Sequence, residues 1–368
     1  MNRIYNLYGC KPKEMVCRIL EEMDLNLNSE LTVGLKPNLI LDKKSDSGAT
    51  TDPELVAGVI EYLQKQGIND ILILEGSWVG AKTTCAFEVC GYNDLAQKYD
   101  VPLYDLKDDE TQKYSSGNFE IEVCQKPMAV DYLINLPVLK AHCQTKITCA
   151  LKNLKGCLPD LEKRRFHKLG LHQPIAHLNQ ILNSDLIIVD GIVGDLTFEE
   201  GGNPVHMNRI ITGKDSVLID AYVARLLGFD TYEIDYIEIA ERLGVGSADL
   251  NEAEIIEFNQ SPDSSQVSEF VLEGSRKVDR IKEYIIEDQA CSACLGSLIH
   301  ALKRIDDKYG LVSKESVYIG QGFESKEVEG VGIGKCTRRA EESISGCPPD
   351  AKSIVDRLVE IWDLKDGR

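Results

Sequence analysis

The chain has 368 residues, of which 43% are hydrophobic and 27% charged, as is typical of a globular protein rather than a disordered or fibrous one. Lysine and arginine total 41 against 60 aspartates and glutamates. The resulting net charge of −19 argues against a protein that neutralises nucleic-acid phosphates or anionic lipids. At about 100–200 residues per domain, this length predicts two or three domains.

The N-terminal segment MNRIYN has no apolar stretch behind its single arginine, which argues against a secretory signal. No run approaches the roughly 18 consecutive apolar residues of a transmembrane helix. We therefore expect a cytoplasmic protein with neither a membrane nor a nucleic-acid partner. In that reducing compartment the twelve cysteines are expected to be buried thiols, metal ligands or redox groups rather than disulfides.

Short β-branched runs alternate with amphipathic helical patterns from the N-terminus onward, which is typical of βαβ units. Thr51 or Asp52 is predicted to cap the first of these helices, and Pro53 suits its first turn. We expect an α/β fold with a mostly parallel, Rossmann-like sheet flanked by helices. The predicted strands are Leu31–Lys36, Asp70–Leu74, Pro102–Leu106, Phe119–Val123, Tyr132–Leu136, Leu186–Asp190 and Arg209–Thr212, and the predicted helices are Leu55–Gln66, Cys85–Tyr99, Thr148–Lys155, Pro174–Asn183 and Ser216–Leu227.

The periodic pattern weakens between Asp249 and Asp288, where 11 acidic residues face four basic ones. We predict an α/β domain over residues 1–250, a linker or extended loop over 251–281, and a smaller α/β iron–sulfur domain over 282–368. The elements predicted for the small domain are a helix from Ala293 to Asp306, a strand at Ser316–Ile319, a glycine-rich loop and a closing helix from Pro349 to Trp362.

The last four cysteines form a C-x2-C pair and, 41 residues later, a C-x10-C pair; they are Cys291, Cys294, Cys336 and Cys347. Four thiolates complete the ligand set of an iron–sulfur cluster or of a zinc ion. The wide second spacing favours a [4Fe–4S] cluster over zinc, because zinc ribbons tend to use two close pairs. Buried structural thiols or a redox dithiol at Cys291 and Cys294 are further interpretations. Since the protein would supply all four ligands, such a cluster is expected to transfer electrons.

Glycines and prolines surround these cysteines. Gly346 is expected to let the backbone pass close to a cofactor, and the two prolines after Cys347 to turn the chain away from it. The glycines that precede Cys336 are expected to offer backbone N–H groups to cluster sulfurs; they are Gly330, Gly332 and Gly334.

Residues 136–172 run against the acidic character of the chain, since eight lysines and arginines face two acids and give a local charge of +6. The segment follows the predicted strand Tyr132–Leu136. It is therefore expected beyond the carboxyl ends of the parallel strands, where α/β sheets bind ligands. We interpret it as a pocket for an anionic small molecule, with a solvated basic loop as the alternative.

The same region contains two candidate metal sites. Spacings of five residues do not place His167, His172 and His177 on one helical face, which disfavours a histidine site. A second cluster on a cysteine triplet is the alternative to single buried thiols, and the triplet is Cys143, Cys149 and Cys157. The five earlier cysteines are interpreted as structural; they are Cys10, Cys17, Cys85, Cys90 and Cys124.

The loop from Gly76 to Thr83 nearly matches the phosphate-loop pattern G-x4-G-K-[ST], with Ala81 in place of the last glycine. Leu186–Asp190 is similar to the apolar strand that ends in a magnesium-binding aspartate. Nucleotide hydrolysis on the Gly76–Thr83 loop is therefore an alternative function.

Several short motifs occur in one order over roughly residues 30–245. They are Lys36-Pro37-Asn38, Thr50-Thr51-Asp52-Pro53-Glu54, Leu139-Lys140-Ala141-His142, Leu151-Lys152-Asn153-Leu154-Lys155-Gly156, His167, Asp190-Gly191-Ile192 and Asp220-Ala221. In these motifs the chain resembles the family known as domain of unknown function 362. Members often carry a ferredoxin-like module, but the run C-x2-C-x2-C-x3-C-P is absent here, so the resemblance implies one cluster.

The family is distantly similar in fold to nickel-dependent lactate racemase, a two-domain α/β enzyme. The nickel chemistry is not carried over, because the lysine and histidines of the racemase cannot be matched one by one. The residues expected in catalysis are Lys140, His142 and His167. Those expected to bind substrate are Lys36, Asn38, Lys146, Lys152, Asn153, Asp190 and Asp220. A plain strand-to-loop turn at Lys36–Asn38 and a helix cap at Asp220 are the structural alternatives.

These features predict a cytoplasmic iron–sulfur redox protein, an enzyme of the oxidoreductase type. One [4Fe–4S] cluster would couple electron transfer with a redox partner protein to chemistry on an anionic small molecule. The alternatives are a non-catalytic electron carrier or assembly factor with a structural cluster, and the nucleotide hydrolase.

Overall fold

The computed structural model describes residues 2–196, 199–201, 203–259, 280–311 and 315–364. The chain divides into two compact units, each with its own internal contacts. The first comprises Met1–Lys163 and Leu171–Val271, and the second comprises Arg164–Gly170 and Leu272–Arg368. The short segment Arg164–Gly170 thus groups with the C-terminal part of the chain, although the predicted domain 1–250 includes it.

A large sheet forms the centre of the first unit. The strands described in this unit are β1 (Arg3–Tyr8), β2 (Val33–Pro37), β3 (Ile71–Glu75), β4 (Leu103–Asp105), β5 (Thr111–Ser116), β6 (Phe119–Cys124), β7 (Tyr132–Leu136), β8 (Lys140–His142), β9 (Lys146–Thr148), β10 (Leu186–Asp195), β11 (Pro204–Gly213) and β12 (Glu254–Phe258). Eight of them form one sheet in the order β12-β1-β11-β10-β7-β2-β3-β4. Within it β11 runs antiparallel to both neighbours and the other pairs are parallel, which confirms the mostly parallel α/β sheet.

Helices flank this sheet. The helices that begin in the first unit are α1 (Pro12–Glu22), α2 (Pro53–Lys65), α3 (Thr83–Val89), α4 (Tyr92–Tyr99), α5 (Lys126–Ala129), α6 (Ala150–Asn153), α7 (Asp160–Lys168), α8 (His172–Ile181), α9 (Ser216–Leu226) and α10 (Asp235–Arg242). The predicted start of α2 is confirmed, because the Asp52 side chain accepts a hydrogen bond from Glu54 N and Pro53 occupies the first turn. None of the described helices has the length and apolar composition needed to cross a bilayer.

Three predicted elements differ from the structure. The helix predicted over Cys85–Tyr99 is broken into α3 and α4, because Gly91 adopts a left-handed conformation with φ +80°. The strand predicted at Phe119–Val123 is β6, which pairs with β5 in a separate hairpin rather than in the large sheet. The helix predicted over Thr148–Lys155 begins at Ala150 as α6 and tightens to a 3-10 turn at Leu154–Cys157.

A second, fully parallel sheet forms the centre of the C-terminal unit. Its strands are β13 (Ile285–Glu287), β14 (Val317–Ile319), β15 (Val328–Ile333) and β16 (Ala340–Ile344), in that order. The described helices that follow α10 are α11 (Ser292–Tyr309) and α12 (Ala351–Ile361). The closing helix begins at Ala351 rather than at Pro349, because Asp350 caps it by accepting a hydrogen bond from Ser353 N at 2.9 Å.

The linker predicted over residues 251–281 is in part regular structure. Its first residues include β12, which pairs in parallel with β1 from Arg3↔Glu254 to Leu7↔Phe258. Residues 260–279 of the predicted linker lie outside the described residues. A strand that the weak local pattern did not predict therefore extends the edge of the large sheet.

Helices α1 and α2 pack closely because Gly58 stands at their crossing. A Cβ at Gly58 would lie 2.3 Å from Val16 Cγ1 and 2.8 Å from Lys13 O. Replacing glycine by alanine within a helix ordinarily stabilises it by roughly 0.5–1 kcal/mol. At Gly58 the backbone oxygen of the neighbouring helix cannot move away without shifting α1, so the packing cost outweighs the gain in helix propensity.

We expect Gly58→Ala to lower the free energy of unfolding by about 1–3 kcal/mol, because overpacking forces the two helices apart. Urea unfolding followed by circular dichroism measures the change. Lys65→Ala on the same helix is the control and should stay within about 0.5 kcal/mol of wild type, because that side chain is 78% exposed. A stabilised Gly58→Ala variant would contradict the described helix crossing.

Candidate functional site

A buried ion pair stands where β2 and β3 end. Lys36 Nζ lies 2.8 Å from Glu75 Oε1, and both side chains are almost fully buried. Glu75 also accepts hydrogen bonds from Gly76 N and Leu39 N, each at 2.7 Å. The carboxylate thus accepts hydrogen bonds from backbone amides in the loops that follow both strands. These bonds hold the two loops together at the carboxyl edge of the sheet.

Three asparagines continue this polar network between strand ends. Asn38 Nδ2 donates to Asn153 Oδ1, and Asn153 Nδ2 donates to Asn135 Oδ1, each at 2.7 Å. Lys140 Nζ donates to Asn38 Oδ1 at 2.8 Å and to Ala49 O at 2.7 Å. Burial lowers the pKa of Lys140 to about 7, so its amine exchanges a proton readily near neutral pH.

Glu199 contacts two further basic side chains of the site, His142 and Lys152. Its Oε2 lies 3.0 Å from His142 Nε2, while Oε1 accepts hydrogen bonds from Lys152 Nζ and, at 3.1 Å, from Thr148 Oγ1. His142 Nδ1 accepts from two backbone amides, Gln144 N at 3.1 Å and Thr145 N at 3.0 Å. Two donors on Nδ1 place the proton of the neutral ring on Nε2, the nitrogen that faces Glu199.

The charges of this group follow from burial and mutual contact. Burial, and then the neighbouring Lys152, lower the pKa of His142 to about 4, so the ring is neutral at pH 7. Burial alone would raise the pKa of Glu199, but Lys152 and His142 hold it well below its usual range. An ionised carboxylate, a neutral imidazole and a lysine of lowered pKa together suit proton transfer.

Asp190 and Asp220 hold the backbone around this group. Asp190 accepts hydrogen bonds from Asp52 N at 2.8 Å and from Ile192 N at 3.1 Å. Asp220 accepts from the first amides of α6, at Ala150 N and Leu151 N, which is the helix-cap role. Burial raises the pKa of each carboxyl to about 7.

Two more predicted site residues are Lys146 and His167. Lys146 is partly exposed and pairs with Glu233 at 2.6 Å. His167 lies on the part of α7 that belongs to the second unit. The other predicted pocket residues of the first unit belong to the buried groups described above; they are Lys36, Asn38, Lys140, His142, Lys152, Asn153, Asp190 and Asp220.

The local charge of +6 does not make an open basic surface. Its lysines meet acids that are distant in sequence: Lys152 pairs with Glu199, and Lys146 with Glu233. Lys163 donates to two carbonyl oxygens, at 3.0 Å and 2.9 Å.

The motifs do not include three residues of the site, so sequence reasoning missed them; they are Glu75, Asn135 and Glu199. At Glu199 the acidic run Glu199-Glu200-Gly201 is the local sequence feature that could have pointed to a site residue.

The loop resembling a phosphate site turns its carbonyl groups toward lysines. Lys107 Nζ donates to Trp78 O and Ala81 O, each at 2.7 Å. The Lys163 contacts named above are to the carbonyl groups of Gly76 and Ser77. Phosphate loops instead present N–H groups to the anion, so this geometry does not favour the nucleotide alternative.

The four C-terminal cysteines stand at one edge of the second sheet. Each follows a parallel strand at its carboxyl end: β13 leads to Cys291 and Cys294, β15 to Cys336, and β16 to Cys347. Cys291 is the N-cap of α11, and Cys294 lies in its first turn. The strand between them in the sheet, β14, leads to Gln321, whose Nε2 lies 3.6 Å from Cys291 Sγ.

The cysteine side chains are near enough to influence one another. Burial raises the pKa of the Cys294 thiol, and Cys291, Cys347 and Cys336 raise it further, in that order. No three histidine, cysteine or acidic side chains in the described ranges are placed to hold a single metal ion. Gly346 has φ +144°, and a Cβ there would lie 2.4 Å from Pro349 Cα. In the structure the backbone at Gly346 therefore lies close to the turn that follows it, at Pro349.

Two cysteines of the first-unit triplet are sealed in the core. Cys149 and Cys157 have no exposed surface. Burial raises the pKa of both thiols, that of Cys157 to about 12. Protonated, buried thiols of this kind are small hydrophobic side chains rather than reactive groups.

The buried neutral state of His142 predicts a pH dependence. Its pKa is lower in the folded chain than in the unfolded one, so unfolded chains bind the extra proton as pH falls from about 6.5 toward 4. Over that window the free energy of unfolding should fall by up to about 3 kcal/mol more in wild type than in His142→Gln. Urea unfolding at a series of pH values measures the difference.

His206→Gln is the matched control, because His206 is exposed. Its curve should run parallel to that of wild type. If wild type and His142→Gln lost stability equally between pH 6.5 and 4, the assignment of a neutral imidazole to buried His142 would be wrong.

Comparisons with known proteins place the chain among its relatives. It is 27% identical over 222 residues to a thylakoid-associated protein of Synechocystis sp., covering 57% of this chain and 67% of that protein. In structure it is similar to the lactate racemase apoprotein from Thermoanaerobacterium thermosaccharolyticum, with a TM-score of 0.40 and 12% identity over 65% of this chain and 56% of that one.

The family comparison covers the strands and loops that build the site of the first unit. The family model described as "Domain of unknown function (DUF362)" matches residues 33–225, which is more than half of the chain. That range includes the motifs around Lys36, Lys140, Lys152, Asp190 and Asp220, and it leaves the cysteine edge of the second unit outside. The chain belongs to the DUF362 family.

Proposed function

We propose that the protein is a cytoplasmic iron–sulfur redox protein that couples electron transfer to chemistry on an anionic small molecule. The observation that carries the proposal is the parallel sheet of the second unit, whose strand ends bring Cys291, Cys294, Cys336 and Cys347 to one edge. Thiolate ligands in a C-x2-C and C-x10-C pattern are those of a [4Fe–4S] cluster.

The arrangement of thiols favours a cluster over zinc. A zinc ion needs all four sulfurs at about 2.3 Å from one point. In a [4Fe–4S] cluster each thiolate binds a different iron, so the sulfurs need not converge. The wide C-x10-C spacing of Cys336 and Cys347 fits a cluster better than a zinc ribbon, which tends to use two close cysteine pairs. Cys291, Cys294, Cys336 and Cys347 would hold the cluster, which supplies one-electron transfer.

Burial raises the pKa of the Cys294 and Cys336 thiols, and nearby positive groups act against that increase. Cys291 and Cys294 occupy the start of the 18-residue helix α11, where the helix dipole stabilises negative charge. Burial, and then Glu324 and Cys347, raise the pKa of Cys336, while Arg164 and Lys168 oppose that increase. Both basic side chains lie on the α7 segment that belongs to the second unit. A cationic surrounding of this kind suits an anionic cluster.

The first unit supplies groups for proton transfer in the coupled chemistry. His142 Nε2 carries a proton toward Glu199, and Lys140 exchanges one near neutral pH. A redox partner protein would exchange electrons with the second unit. The substrate would be an anion, and the reaction would be of the oxidoreductase type.

Anaerobically purified protein should be brown and contain about four irons and four sulfides per chain, with an electron paramagnetic resonance signal after reduction. Cys336→Ala and Cys347→Ala should each lose most of this iron, because each removes a ligand. Iron, sulfide and zinc analysis of the same preparations measures the loss. Cys10→Ser is the control, since Cys10 is exposed and lies outside the ligand set.

A colourless protein that holds one zinc ion would overturn the cluster. Iron content that is the same in Cys336→Ala, Cys347→Ala and wild type would overturn the ligand assignment. Circular dichroism spectra of the variants show whether the fold is retained where iron is lost.

A non-catalytic electron carrier is the second candidate, because each lysine named in the first-unit site already has a protein acceptor. Lys140→Ala and His142→Ala separate the two functions. If the pocket is catalytic, substrate-dependent oxidation of the cluster should fall by at least about tenfold in both variants, while iron content is unchanged. The carrier function is correct if Lys140→Ala and His142→Ala both reduce the partner protein, and are reoxidised chemically, at the wild-type rate whichever anion is added.

A further inference from the structure

Arg209 of β11 is a buried cation with no counterion among the residues that the structure describes. It is 2% exposed and pairs with Tyr8 across β1 and β11, and its guanidinium carbon lies 5.0 Å from the centre of the Tyr8 ring. Among the described residues its hydrogen bond runs from Nε to Met207 O at 3.3 Å, and no carboxylate lies within ion-pair distance. The terminal nitrogens therefore have no acceptor in that part of the chain.

This situation differs from that of the buried lysines. Lys36 and Lys152 are each paired with a glutamate, and Lys140 donates to two oxygens. An arginine keeps its charge at any physiological pH, so Arg209 cannot relieve its burial by losing a proton. Removing such a charge from water without an anion is costly, and a bound anion would offset that cost.

Two further polar groups beside Arg209 are incompletely satisfied. Asn6 Nδ2 donates to Tyr8 Oη at 2.8 Å, Tyr222 Oη at 3.1 Å and Glu257 Oε1 at 3.2 Å. These contacts fix the amide orientation, and Asn6 Oδ1 is left buried with no hydrogen-bond partner. Tyr222 Oη accepts from Asn6, and its own proton has no acceptor among the described contacts.

Glu257 is the carboxylate that belongs to this cluster. Its Oε1 accepts hydrogen bonds from Asn6 Nδ2 and, at 3.1 Å, from Tyr8 Oη, so it is directed at the donors rather than at Asn6 Oδ1. Glu257 is exposed, so the cluster lies next to solvent at the β12 edge of the sheet. Its negative charge disfavours ligands of high charge.

We propose that Arg209, Tyr222 and Asn6 form a binding site for a small oxyanion that keeps one hydroxyl, such as a singly charged phosphate group. The terminal N–H groups of Arg209 and the Tyr222 hydroxyl donate to the anionic oxygens. The hydroxyl of the ligand donates to Asn6 Oδ1. Arginine suits planar or forked contact with such oxygens. The site involves first-unit residues alone, so it stands or falls independently of the cluster.

Thermal unfolding of the full chain tests the site with inorganic phosphate as the probe, at about pH 6, where phosphate is mainly the singly charged H2PO4−, whose hydroxyl can donate to Asn6 Oδ1. Phosphate should raise the Tm of wild type in a saturable way above sodium chloride of equal ionic strength. Acetate has no hydroxyl on its anionic group and should raise the Tm less. Arg209→Met should lose the response to phosphate and have a higher Tm than wild type in chloride, because the uncompensated buried charge is gone.

Arg18→Met is the matched control, because Arg18 is exposed and lies over an aromatic ring, 5.4 Å from the centre of Phe258. It should keep the full phosphate response. Tyr222→Phe removes a single hydroxyl and should weaken phosphate binding about tenfold in isothermal titration calorimetry. Asn6→Asp places a carboxylate beside the anion and should abolish binding.

Three results would overturn the proposal. They are a wild type that responds to phosphate no more than to chloride, an Arg209→Met variant that keeps the response, and a Tyr222→Phe variant that binds phosphate as wild type does. Equal stabilisation by acetate and phosphate would overturn the part assigned to Asn6. If Arg209→Met does not fold, Tyr222→Phe and Asn6→Asp decide the outcome.

Discussion

The buried ion pair between Lys36 and Glu75 is the constraint on which the first unit's site depends. A buried carboxylate is tolerable where its lone pairs are filled, and Glu75 accepts from Lys36 Nζ, Gly76 N and Leu39 N. Gly156 shows how closely the chain surrounds this pair, since a Cβ there would lie 2.6 Å from both Glu75 Oε1 and Lys36 Nζ. Any side chain at Gly156 would separate the charges or displace the loop.

From this pair the polar contacts pass to the asparagines and then to the reactive groups. Asn38 connects the end of β2 to Asn153 and to Lys140, so the position of the lysine amine depends on the strand end. Asp220 fixes the start of α6, which carries Lys152 toward Glu199. Most of the motif residues of the family thus act as a buried frame. The groups suited to proton transfer within it are Lys140, His142 and Glu199.

The sequence predicted what local chemistry determines. The cap at Asp52 and the parallel strands follow from spacing and residue type alone. It did not predict the partners, because Glu75 and Glu199 come from loops far along the chain from Lys36 and Lys152. For the same reason the local charge of +6 does not show which acids the fold brings to Lys146 and Lys152. The break at Gly91 depended on one left-handed residue within an otherwise helical pattern.

In both units the candidate site residues lie in loops at the carboxyl ends of parallel strands. The carboxyl ends of adjacent parallel strands open into loops, so side chains from distant parts of the sequence meet there with backbone groups still to be satisfied. In the first unit those side chains are lysines, asparagines and carboxylates that satisfy one another. In the second unit they are cysteine thiols, two of them at the start of a long helix. Thiols raise each other's pKa at that edge, and a shared positive centre relieves the repulsion between their ionised forms. The lysines of the first unit's edge thus find acceptors within the protein, whereas the proposed cluster, if bound, would supply the positive partner of the thiols in the second unit.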